Sequence, residues 1–138
     1  MAIDLDSMRK AVASLERSLR VAGGMSGMSA DFRETVRAGV IQNFEVAYES
    51  SWKFIQRWLR ENGQSQEADS PRTRKDLFRM AAKAGLLEDP TPWFRFGEAR
   101  NLTSHTYDET HAQESFEVAT SFLPYAQRLL ARLEAAND

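Results

Sequence analysis

Leu5, Met8, Val12, Leu15 and Leu19 follow one another at intervals of three and four, which lays an apolar stripe along one side of a first helix. Gly23, Gly24 and Gly27 break that pattern and read as a loop. Asp31 with Glu34 three residues on has capping-box spacing and predicts the start of a second helix. Phe32, Val36, Val40, Phe44, Tyr48, Trp52, Ile55 and Leu59 then recur at threes and fours until Asn62 and Gly63. At about 1.5 Å per residue this is a rod of roughly 45 Å, the expected spine of the domain. The polar stretch 64–70 reads as a loop. Ser70-Pro71 and Thr73-x-x-Asp76 signal a third helix, with Leu77, Met80, Ala81 and Ala84 on its buried face. Gly85 is placed to stop it in the left-handed region, with Leu86 closing the hydrophobic contact behind it. Thr91 and Pro92 are expected at the N-cap and first position of a fourth helix carrying Trp93, Phe94, Phe96, Ala99 and Leu102. A last helix begins within 106–110, with Thr106-x-x-Glu109 as its capping pattern. It carries Phe116, Ala119, Phe122, Leu123, Ala126, Leu130 and Leu133, and Pro124 predicts a kink in it. Strand-like alternation is absent. Amphipathic helices of this kind can bury their stripes only against each other. The expected fold is therefore all-α: one domain over 1–138, an antiparallel up-and-down four-helix bundle with an additional short helix.

Composition narrows the functional classes. A chain of 138 residues with 42% hydrophobic content makes one ordinary domain with a real core. The lack of cysteine excludes disulfides, thiolate zinc sites, iron–sulfur clusters and cysteine nucleophiles. No apolar run is long enough to span a membrane, and the opening residues lack a signal-peptide core, so a cytoplasmic location with no membrane partner is expected. Eighteen Lys and Arg against twenty Asp and Glu give a net charge of −2, unlike the basic balance of a protein that coats nucleic acid. The basic side is lopsided, with fourteen arginines and four lysines. Arginine is the fork-shaped donor suited to phosphate and carboxylate.

Only two histidines exist, His105 and His111. His105 lies in Arg100-Asn101-Leu102-Thr103-Ser104-His105-Thr106-Tyr107, where nearly every side chain is a donor or an acceptor. Residues 103–107 propagate a helix poorly, just where one is ending. Such a stretch is either a functional site or a solvated helix C-terminus whose histidine offsets the dipole. In a straight helix Asn101 and His105 share a face at i, i+4, whereas Arg100 and His105 do not. Arg100 can converge on His105 through its length, through a distorted last turn, or from a second subunit. A two-fold dimer would set two histidines and two arginines in one groove. Metal-free RNA cleavage wants that set: one imidazole to take the 2′-OH proton, another to protonate the leaving oxygen, and guanidinium for the phosphorane charge.

Arg-x4-His-x-Tyr, read at Arg100, His105 and Tyr107, resembles the signature of HEPN domains. Phe44-Glu45-x-x-Tyr48-Glu49-x-x-Trp52-Lys53, Ser70-Pro71-Arg72 and Ala84-Gly85-Leu86-Leu87 extend the resemblance. Together they are similar to the nucleotidyltransferase substrate-binding proteins, relatives of HEPN toxins, over the chain from the first helix to Leu133. The resemblance implies a homodimer about the motif helices and a minimal nucleotidyltransferase partner encoded nearby that uses ATP and Mg2+, with no cofactor or metal on this chain. In toxin–antitoxin members the HEPN protein is a ribonuclease acting on RNA, and the partner silences it by adding AMP to the motif tyrosine. Carried over, Arg100 and His105 would be catalytic and Tyr107 the AMPylation site, with Asn101, Ser104 and Glu49 in support. The subgroup is equally described as the non-catalytic, substrate-binding half of a two-component nucleotidyltransferase.

Other candidates carry less. Glu45 and Glu49, one turn apart with Lys53 beyond, read as an ion-paired solvated face, with Glu49 near the groove on the family pattern. Glu109 and His111 near His105 could in principle form a metal set. Arg72, Arg74, Lys75 and Arg79 form a basic run that is either solvated surface or a path for RNA or an acidic partner. An interaction protein with a decayed motif is the third functional class, which an intact Arg100, His105 and Tyr107 argue against.

Overall fold

A computed structural model describes residues 2–62, 73–105 and 107–137. The loop expected at 64–70 and the Ser70-Pro71 signal lie outside the described residues. Among the described residues five α-helices are formed: α1 (Asp6–Ala22), α2 (Ala30–Glu61), α3 (Arg74–Lys83), α4 (Thr91–Leu102) and α5 (Glu109–Ala136). A 3-10 turn, Thr103–His105, follows α4 directly. Among the described residues there is no strand, and no helix is long and apolar enough to cross a membrane.

Several helix starts differ from those the cap patterns predict. α2 begins at Ala30, capped by Ser29, whose hydroxyl accepts from the Phe32 amide at 3.1 Å. Asp31 falls instead inside the first turn, where its charge complements the exposed amides. Phe32 accordingly lies near the helix end and is 44% exposed, outside the core. Pro90 already has helical dihedrals, so α4 starts at Thr91 and Pro92 moves one place further in. The Thr91 amide donates to the Asp89 carboxylate at 2.9 Å, and no side chain caps the amides of the first turn. Asp108 caps α5, its carboxylate accepting from the amides of Thr110 and His111, while Thr106 lies outside the described residues. Thr73 does cap α3 by accepting from Asp76. Gly85 stops α3 at φ +88, with the Leu86 amide reaching back to the Ala81 carbonyl and Leu86 buried. α5 runs through Pro124 as one helix; the proline lacks the N–H that would complete the ladder there.

Contacts between helices give their directions. Ile3 and Asn137, Arg9 and Glu134, and Glu16 and Gln127 pair α1 with α5 in antiparallel sense. Arg37 meets Glu109 and Phe44 meets Phe122, so α2 and α5 run the same way. Glu45 meets Thr103 and Tyr48 faces Gly97, so α4 opposes α2. α1, α2, α4 and α5 thus alternate up and down, and α3 is the additional short helix, its Phe78 ring meeting Tyr48 edge-on and Trp93 at a tilt. Phe122 is the hub of the core. It makes edge contacts with Phe44, Trp93 and Phe96 at centroid separations of 5.2, 5.4 and 5.0 Å. Each such pair adds about 0.5–1.5 kcal/mol beyond the area it buries.

Candidate functional site

The end of α4 places the motif. Arg100 sits in its last turn and reaches across to α2, where Nη1 lies 3.1 Å from Glu45 Oε2 and Nε 3.3 Å from Glu49 Oε1. Nη1 also donates to the Thr103 hydroxyl at 3.1 Å. That hydroxyl lies 3.0 Å from Glu45 Oε2 and 2.8 Å from the Arg100 carbonyl, and its one proton serves either. The buried Nε–H makes no directed hydrogen bond, so Glu49 holds it by charge. Glu49 in turn accepts from the Trp52 indole at 2.9 Å, and the Arg74 guanidinium lies 3.7 Å over the Trp52 ring. A continuous polar chain therefore runs from Thr103 through Glu45, Arg100, Glu49 and Trp52 to Arg74.

This corrects the solvated-face reading of Glu45 and Glu49. Both carboxylates turn toward Arg100 and are about two-thirds buried, while Lys53 leans on the Trp52 ring at 5.7 Å. Glu45 and Thr103 belong to this polar chain, and the motif alone does not mark them. The available signal was the i, i+4 spacing of Glu45 and Glu49, which aims two acids the same way. A threonine three residues after Arg100 can also bond back to its carbonyl.

His105 closes the 3-10 turn and is exposed. Its ring centroid lies 6.4 Å from Tyr107 and 6.1 Å from His111. Tyr107 is 88% exposed, its phenol free of the core. Asn101 and Ser104 are exposed as well. The predicted residues thus form two groups flanking one turn: Arg100 with Glu49 on the α2 side, and His105 with Tyr107 at the approach to α5. His111, in the first turn of α5, has a buried Nδ1 without a hydrogen-bond partner.

The remaining candidates have neighbours of their own, except Arg72, which lies outside the described residues. Glu109 is bound by Arg37 through two hydrogen bonds of 2.6 and 2.8 Å, which hold its carboxyl below the ordinary range and the guanidinium above its own. Among the described residues no three His, Asp or Glu side chains cluster as metal ligands. In the basic run, Lys75 and Arg79 lie 5.4 and 5.1 Å from the Phe94 ring. Burial raises the pKa of Tyr48 despite the hydrogen bond from Arg74.

Residues 3–135 match the family model for nucleotidyltransferase substrate binding protein like sequences. The chain belongs to this HEPN-like nucleotidyltransferase substrate-binding family. The family is a substrate-binding partner of a nucleotidyltransferase. A Haemophilus influenzae relative named probable ribonuclease HepT is 34% identical over 106 residues, 77% of this chain and 73% of that protein. A solved Haemophilus influenzae structure, described as revealing the fold of a substrate binding domain of a nucleotidyltransferase, superposes with a TM-score of 0.88. It is 30% identical, and the match covers 95% of this chain and 99% of that one. A crystal structure of a Thermus thermophilus protein gives a TM-score of 0.72 at 29% identity, covering 91% and 98% of the two chains.

Proposed function

We propose that this chain is the ribonuclease toxin of a toxin–antitoxin pair, partnered and silenced by a minimal nucleotidyltransferase in the cytoplasm. The observation that carries the reading is the pairing of an exposed His105 with an exposed Tyr107 one turn beyond Arg100. A homodimer would bring two such turns together around RNA. One His105 takes the proton of a 2′-OH, whose oxygen attacks the adjacent phosphorus. The other His105 protonates the departing 5′ oxygen, leaving a cyclic phosphate and a free 5′-OH, with no metal required of this chain. Arg100, oriented by Glu45, Glu49 and Thr103, faces the charge that develops on the phosphorane.

Silencing follows from the exposure of Tyr107. Its phenol oxygen would attack the α-phosphorus of ATP held with Mg2+ by the partner, releasing pyrophosphate and a proton. The AMP so attached puts negative charge and bulk beside His105, where an RNA phosphate would otherwise lie. A second reading, a non-catalytic substrate-binding subunit of a two-component nucleotidyltransferase, is favoured by the engagement of Arg100. A guanidinium between two carboxylates has little charge left for a phosphorane.

Expression of the chain without its partner separates the two. Growth arrest and RNA cleavage lost in His105→Ala, together with a dimer mass by light scattering, are the expected outcomes. No cleavage by wild type would leave the substrate-binding reading, and cleavage unchanged in His105→Ala would remove His105 from the chemistry. Incubation with the neighbouring nucleotidyltransferase, ATP and Mg2+ should add one AMP mass, absent in Tyr107→Phe.

A further inference from the structure

His111 is the one histidine that the cleavage scheme leaves without a part. It sits half-buried in the first turn of α5, with a buried Nδ1 that meets no hydrogen-bond partner. A neutral imidazole carries a single N–H. On Nδ1 that proton would be a buried donor with nothing to meet, which folded proteins rarely tolerate. The proton therefore belongs on Nε2, the ring nitrogen that is not enclosed, and His111 offers a donor at the surface.

The fold fixes where that donor stands relative to His105. Asp108 ties the two residues together: its amide donates to the His105 carbonyl at 3.1 Å, and its carboxylate accepts from the His111 amide at 3.3 Å. The two rings lie 6.1 Å apart between centroids, with their planes tilted by 53°. A ring nitrogen meets a hydrogen-bonded oxygen at about 4 Å from its own ring centre, so the reaches of the two rings overlap. One phosphate can touch both at once.

The nearby charges are already engaged. Glu109 is held by Arg37, and the Asp108 carboxylate accepts from two backbone amides. Arg100 divides its charge between Glu45 and Glu49, so a phosphorane formed beside His105 calls for a further donor.

We propose that His111 holds the scissile RNA phosphate beside His105, donating from Nε2 to a non-bridging oxygen that gains charge as the phosphorane forms. This role rests on the ribonuclease reading and adds a residue to it. The proton transfers stay with His105, and the His111 proton is shared in a hydrogen bond without being given up.

The test is steady-state cleavage of a single-stranded RNA oligonucleotide by the full chain and by variants of His111. Glutamine sets its amide nitrogen close to the place of Nε2 and keeps a donor there, whereas phenylalanine fills the space without one. His111→Phe and His111→Ala should lower kcat about tenfold or more, with a smaller change in KM, because the bond strengthens as charge develops. His111→Gln should stay within about threefold of wild type. Its pH profile should keep the wild-type shape, since the protons move through His105. Circular dichroism melts show whether each variant folds. Should phenylalanine disturb the packing, alanine against glutamine makes the same comparison. Wild-type rates in His111→Phe and His111→Ala, with His105→Ala inactive, overturn this role and leave the ribonuclease reading standing. A rate in His111→Gln as low as in His111→Ala, at equal melting temperature, overturns it too, because a retained donor would then restore nothing. No cleavage by wild type removes the ribonuclease reading, and the role of His111 with it.

Discussion

Arg100 is the residue on which most of the site converges, and its surroundings set what its removal does. Glu45 and Glu49 are one turn apart on α2 and face the same guanidinium, so without it two like charges share a partly dry space. Each of these side chains is about one-third exposed, which screens the interaction well short of a fully buried pair. Arg100→Ala is expected to cost about 1–2 kcal/mol of stability, with part of that regained when Glu45→Gln and Glu49→Gln are added. Urea midpoints for the single, double and triple variants check this. Strict additivity would mean that the carboxylates do not hold the guanidinium. Lysine at position 100 would keep the charge and lose the fork that reaches Glu45, Glu49 and Thr103 together.

The elements depend on their ends as much as on their stripes. α3 has only ten residues, too few to hold alone, and it is bounded by the Thr73 cap and the Gly85 stop. α5 is fastened at its start, where Asp108 caps the amides and Glu109 is gripped by Arg37 of α2. Glu109 has its pKa lowered by that grip, and its ordinary value is 4.5. The pair therefore contributes stability fully above that ordinary value and loses it as pH falls through the depressed one. Arg37 is raised from an already high value and adds no change in the acid range. Melting temperatures of wild type and Glu109→Gln should differ at neutral pH and converge in acid. A constant gap across that range would show that the pair is not responsible.

Across the whole molecule, stability concentrates in the aromatic centre. Phe122 touches α2 through Phe44 and α4 through Trp93 and Phe96, so one side chain joins three helices. Phe122→Ala is expected to cost about 3–5 kcal/mol, since the surrounding rings cannot collapse into the space without tilting the helices. Phe122→Leu should recover a large part of that. Chemical denaturation of both variants measures it, and equal losses would indicate that ring geometry rather than filled volume matters there. The same centre sets the rotation of α4 about its axis, and hence the direction in which Arg100 points.

The sequence by itself determined the helices, their buried stripes and most of their stops. The threes and fours of Leu5, Met8, Val12 and Leu15, the Thr73 cap and the Gly85 stop all act within one or two turns. Local chemistry of that range is legible in a linear string. The Ser29 and Asp108 caps were less so, because neighbouring polar residues offered equivalent patterns and one or two residues of register decided between them. The motif Arg100, His105 and Tyr107 could also be read directly, but not what Arg100 binds. Thr103 and Glu45 are 58 residues apart and meet only once α4 has packed against α2. The close approach of Gly97 to Tyr48 belongs to the same class. Such contacts depend on the rotation and register of packed helices, which the interlocking of Phe44, Trp93, Phe96 and Phe122 decides in three dimensions.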